Sequence, residues 1–74
     1  MIHVAPVTPS DTQLLPNGSD YLSFVNSGTQ TLKITTLGGE VVSGIVLPSG
    51  MYPIRATQVW ATGTTVTSIF TYWT

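Results

Sequence analysis

Four glycine-bearing turns cut the last fifty or so residues of this chain into short pieces. "NSGT" (26–29), "LGGE" (37–40), "LPSG" (47–50) and "ATGTT" (61–65) recur at roughly ten-residue spacing, the rhythm of a small all-β domain. No stretch between them has convincing helical periodicity, and they are rich in β-branched and aromatic residues. The spacing predicts strands near 21–26, 30–36, 41–47, 52–60 and 66–73. The expected fold is all-β: a single-domain β-sandwich or jelly-roll-like barrel of five to six short antiparallel strands. Residues 1–20, punctuated by Pro6, Pro9 and Pro16, read as an extended arm, with 21–74 as the sandwich. Within that arm "IHVAPV" suits an edge strand, because proline cannot donate to a ladder. "TPSDTQLL" reads as loop, at most with one helical turn capped by Ser10 or Asp11.

Face assignments follow from the two-residue period. In "TLKITTL", Leu32 and Ile34 share one face, Lys33 and Thr35 the other. "VVSGIVL" is apolar at nearly every position, the pattern of a strand covered on both sides, and Gly44 marks a bulge or a close backbone approach. "YPIRATQVW" conflicts with a single buried face: Ile54 and Ala56 fall on one side, Arg55, Thr57 and Val59 on the other. A bulge near Thr57 or Gln58, or burial on both faces, resolves the conflict. Arg55 then points outward, at a sheet face or an interface. In the last strand Val66, Phe70 and Tyr72 oppose Ile69 and Trp73.

Seventy-four residues bury only about 60% of the surface their unfolded chain exposes, so the core needs help from disulfides, a metal or a partner. There is no cysteine, and one histidine with three scattered carboxylates (Asp11, Asp20, Glu40) does not suit structural zinc. Association remains. Charged residues make up 7% of the chain, against about 25% in an ordinary soluble domain, and 42% are hydrophobic. A surface of Thr, Ser, Asn and Gln with a formal net charge of −1 suits a chain packed against neighbours. The N-terminal stretch lacks the basic and apolar regions of a secretory signal. No run approaches the ~20 apolar residues that span a bilayer. Two basic residues make no phosphate-binding patch, so neither membrane nor nucleic acid is an expected partner.

Catalytic chemistry has few candidates. His3 lies in the arm without a nucleophile or carboxylate beside it, and the three carboxylates sit in turns, where capping explains them. The serines and threonines have no activating His or Lys nearby. "LGGE" and "PSGM" lack the strand–loop–helix setting of a phosphate cradle. The chain reads as a non-enzyme without cofactor or metal. Tyr52, Trp60, Tyr72 and Trp73 gather in the last third, and aromatics with arginine are enriched at protein interfaces. Arg55, Trp60, Tyr72 and Trp73 are therefore the candidate subunit or capsid-contact residues. The competing reading is a carbohydrate-binding module in which exposed Trp and Tyr stack on sugar rings.

The segment "LPSGMYPIRATQVWATGTTVTSI" resembles small β proteins of tailed phages and gene transfer agents that form head-spike bases. Those share the form Leu-Pro-x-Gly-x-x-Pro-Ile-Arg followed by "ATGTT", matched here by Leu47, Pro48, Gly50, Pro53, Ile54, Arg55 and Ala61 to Thr65. "VTPSD" and "GGEV" also sit where such proteins carry Pro-Ser-Asp and a Gly-Gly turn. The ending "FTYWT" departs from their plainer aliphatic strand. The resemblance implies an oligomeric β protein of the virion, on the outer surface of the capsid as head-spike base or decoration protein. Its implied partners are further copies of itself, the major capsid protein and a head-fibre protein.

Overall fold

The computed structural model describes residues 2–74 and contains no helix among them. Seven strands form: β1 (His3–Val7), β2 (Tyr21–Phe24), β3 (Gln30–Thr36), β4 (Val41–Leu47), β5 (Gly50–Tyr52), β6 (Ala56–Val59) and β7 (Ile69–Trp73). They build two antiparallel sheets, ordered β1-β7-β2-β5 and β4-β3-β6. The sandwich reading therefore holds. Its core is Leu22, Phe24, Leu32, Ile34, Ala56, Val59, Val66 and Ile69, all buried between the layers. "IHVAPV" is an edge strand paired with the last strand from His3↔Trp73 to Val7↔Ile69.

The stretch 52–60 is not one strand. Pro53, Ile54 and Arg55 break it, so that β5 pairs in one sheet and β6 in the other. Arg55 thus stands in a crossover between sheets, not in a strand; Pro53 has no N–H to carry the ladder on. The predicted bulge is present: Thr35 faces Gln58 and Thr36 faces Ala56, leaving Thr57 as the extra residue. It lets Ala56 and Val59, three residues apart, both join the core, while Gln58 opposite Thr35 is buried as well. The second bulge falls at Ser43–Gly44, where Leu32 faces Ile45 but Ile34 faces Val42. Gly44 adopts φ +72°, a left-handed backbone that costs a residue with a Cβ about 1–2 kcal/mol.

β4 corrects the expectation of a strand covered on both faces. It is an edge strand, and Val41 and Val46 are more than half exposed. Its apolar run reflects the fit of β-branched residues to a pleated surface rather than double burial. The last strand begins at Ile69, not 66. Ser68 adopts φ +50°, and this kink places both Val66 and Ile69 in the core.

Polar side chains join the loops. Ser19 is buried; its Oγ donates to the Ile54 carbonyl at 2.8 Å and accepts from Ala56 N–H at 2.9 Å. Residues 8–15 run along the outer edge of β6, with Ser10 N–H on the Val59 carbonyl (2.9 Å) and Leu15 N–H on that of Thr57 (2.7 Å). Gln58, buried by the bulge, donates to the Ser10 carbonyl at 3.0 Å. Asp11 then closes the next turn. Its carboxylate accepts from Ala61 N–H (3.0 Å), Thr62 N–H (2.9 Å) and the Thr62 hydroxyl. "ATGTT" continues alongside β3 with hydroxyls in place of backbone acceptors: Lys33 N–H meets Thr64 Oγ1 at 3.0 Å and Thr31 N–H meets Thr65 Oγ1 at 2.9 Å.

Ser19→Ala leaves the Ala56 N–H buried without an acceptor and should destabilise the fold by about 1–3 kcal/mol in urea denaturation. The bonds from Thr62 and Ala61 hold the Asp11 carboxyl below its ordinary value. A carboxyl depressed in the folded state stabilises above its unfolded value, about 3.9, and the contribution fades as pH falls through the folded one. Melting temperatures of wild type and Asp11→Asn should therefore differ most above about pH 4 and converge in more acidic solution.

Candidate interaction surface

Strand register places the outward side chains of the four-stranded sheet in two rows. Val4, Tyr72 and Tyr21 form one; Pro6, Phe70, Ser23 and Met51 form the other. Ile2 and Val25 extend the face by the same alternation. Ile2, Val4, Tyr21, Val25, Met51 and Phe70 are each 38–69% exposed. No charged side chain stands in either row. The polar groups there are tyrosine and serine hydroxyls, and those of Tyr72 and Ser23 share a hydrogen bond at 3.1 Å. Together the six large side chains leave on the order of 500 Å² uncovered, within the range of the largest apolar patch on a typical monomer, which is often functional.

At one corner the face dips into a hollow of about 350 Å³ lined by Ile2, Asp20, Tyr21, Met51, Tyr72, Trp73 and Thr74. The Asp20 backbone fixes this corner, donating to the Tyr72 carbonyl at 2.7 Å. Arg55 reaches it from the crossover: its Nε lies 3.7 Å from Asp20 Oδ1, and its side chain is 68% exposed. Trp73 belongs to the inward row but lies at the open end of the sandwich, where its ring stacks on His3 with centroids 5.4 Å apart. The outward face of the opposite sheet is mixed: exposed Val41 and Val46 on β4 stand beside Thr31, Lys33 and Thr35 on β3, and Trp60 lies over Lys33 and Thr35. Trp60 donates to Thr35 Oγ1 at 3.0 Å while Lys33 Nζ sits 4.4 Å above its ring.

Of the four residues singled out from sequence, Tyr72 and Trp73 line one hollow and Arg55 stands at its rim. Trp60 lies on the other sheet with its indole engaged by Lys33 and Thr35. Sequence reasoning missed Ile2, Val4, Tyr21, Met51 and Phe70 as members of one face. Their common side depends on which strands are neighbours, and β1 and β5 join β7 and β2 from distant parts of the chain. The two-residue alternation gives a face for each strand but not the pairing.

Among the described residues no three His, Cys, Asp or Glu side chains cluster, and no helix is long and apolar enough to cross a membrane. The surface can bury apolar area and can form a few hydrogen bonds. An exposed single-contact ion pair contributes little, so Arg55→Ala should cost less than about 1 kcal/mol of thermal stability; sedimentation of the same variant reads whether Arg55 acts between chains.

No protein-family model matches the chain, and no curated protein does. Among solved structures, the chain is similar to one in the capsid of a native GTA (gene transfer agent) particle computed with C5 symmetry. The two share 28% sequence identity with a TM-score of 0.77, over 96% of this chain and 81% of that one.

Proposed function

We propose that this chain is a structural component of a virion, held on the outer surface of the capsid as an oligomer. Within that role it acts as head-spike base or decoration protein, touching the major capsid protein and offering a seat for a head fibre. The observation that carries the reading is the likeness to a chain of a GTA capsid at 28% identity over nearly the whole length. The charge-free apolar sheet face supports it, because an apolar patch of this size is often functional. The role is structural rather than catalytic, and apolar burial supplies the binding energy. Electrostatic steering has little to act through, since the chain carries five charged side chains.

Purified particles test this. The protein should be present in mature virions at a fixed ratio to the shell, and should stay with them through a salt wash that strips charge-bound proteins. Absence from particles, together with glycan binding by a soluble monomer, would establish the carbohydrate-binding reading instead. Val4→Lys and Phe70→Lys place charge on the outer rows without touching the core. They should change monomer stability by no more than about 0.5 kcal/mol while lowering occupancy on particles.

A further inference from the structure

The five charged side chains are unequally engaged. Asp11 is held by the Ala61–Thr62 turn, and Lys33 sits over Trp60. Asp20 accepts from the Thr74 backbone and hydroxyl as well as facing Arg55. Arg55 meets Asp20 only through Nε, and its two Nη groups make no hydrogen bond among the described residues. They form a planar donor fork open to solvent, the geometry that grips a carboxylate with two parallel bonds. Glu40, like Asp11, has no cation within 4 Å among the described residues, but unlike Asp11 it is not tied to a distant turn. It caps the β3–β4 hairpin, accepting from the Thr36 hydroxyl at 2.9 Å while remaining exposed.

The same hairpin tip carries Leu37, 59% exposed although its backbone N–H is fixed on the Arg55 carbonyl at 3.2 Å. Leu37 is not part of its own chain's hollow. Thus one chain presents an apolar knob three residues from a free carboxylate. It also presents an apolar hollow whose Asp20 edge is met by Arg55 Nε, with the guanidinium's Nη fork still open.

We propose that this pair of features is an interface between two copies of the chain. Leu37 of one copy enters the hollow floored by Tyr21, Met51 and Tyr72 of the other, and Glu40 takes the open fork of Arg55. The inference rests on the oligomeric reading above and adds which surfaces meet. Charge and shape select the occupant together: the hollow needs an aliphatic side chain, the fork needs a carboxylate, and the "LGGE" tip supplies both. The two glycines between them, one with φ +90° at Gly39, keep the tip narrow enough to approach.

The chain has no cysteine, so engineered thiols report without background. Leu37→Cys and Met51→Cys chains should be mixed under mild oxidation and the disulfide-linked dimer followed with time. The mixture should crosslink roughly ten-fold faster than either variant alone, as expected when association raises the local thiol concentration. Equal rates in all three samples, or crosslinking confined to one variant alone, would overturn the interface. Glu40→Gln lies at an exposed tip and should leave the melting curve nearly unchanged while weakening self-association roughly ten-fold in sedimentation. Unchanged association would likewise overturn it. Retention of the protein on particles without the mixed crosslink defeats this interface alone. Loss from particles with the crosslink intact defeats the virion role and leaves the interface standing.

Discussion

The carboxylate of Asp11 is the tie on which the second sheet depends. Eight core side chains give this domain little apolar burial, and β6 is a four-residue strand interrupted by a bulge. Such a strand would fray at the sheet edge without help. Asp11 holds the turn that follows β6, and Ser10 and Leu15 lie along the strand's free side, so the N-terminal loop finishes what the ladder leaves open. Threonine hydroxyls then carry the pairing on from β6 through residues 64–65. A threonine-rich, cysteine-free domain is thus stapled by hydroxyl and carboxylate bonds to backbone, which together matter at this size.

These contacts give a physical meaning to the sequence pattern. "PSD" and "ATGTT", some fifty residues apart, are two halves of one clamp. Gly63 belongs to it because the Lys33 stem crosses there: a Cβ would lie 3.3 Å from Lys33 Cδ. That stem carries the ammonium onto Trp60. In "LPSG", Ser49 exchanges hydrogen bonds with the Asn26 backbone at 2.8 Å in each direction, and Tyr52 donates to the Pro48 carbonyl at 2.8 Å. Much of the pattern therefore maintains the sandwich. The apolar face lies largely outside it, on β1, β2 and β7, with Met51 of β5 added.

What the sequence showed and what it hid divide along the same line. Turns and bulges were legible, because a glycine within a strand and a parity clash within one strand are local facts: Gly44 itself marks one bulge and the clash marks the other, at Thr57. The split of 52–60 between two sheets was not, although Pro53 marked the place, since a break can be local while the partner on each side is not. β4 misled because an apolar run has the same letters whether covered twice or left at an edge. Ser19 gave no signal. A buried serine bridging Ile54 and Ala56 looks in sequence like any serine in a polar turn. Arg55 was legible as unusual, and its setting follows from the crossover that the strand reading overlooked.

The shortage of charge and the apolar face are one property seen twice. Covering about 500 Å² of apolar surface yields on the order of 12 kcal/mol before costs. Association consumes about 4–15 kcal/mol in lost rigid-body freedom and ordered side chains. A single contact of this size therefore sits near balance, and a pair of free chains would exchange readily. Repetition changes the outcome: once one contact is made, a second to the same assembly forms at high effective concentration, and affinities multiply without any new kind of bond. In the role proposed above, a chain with so few charges and an exposed apolar sheet face would be held in place by several weak apolar contacts at once.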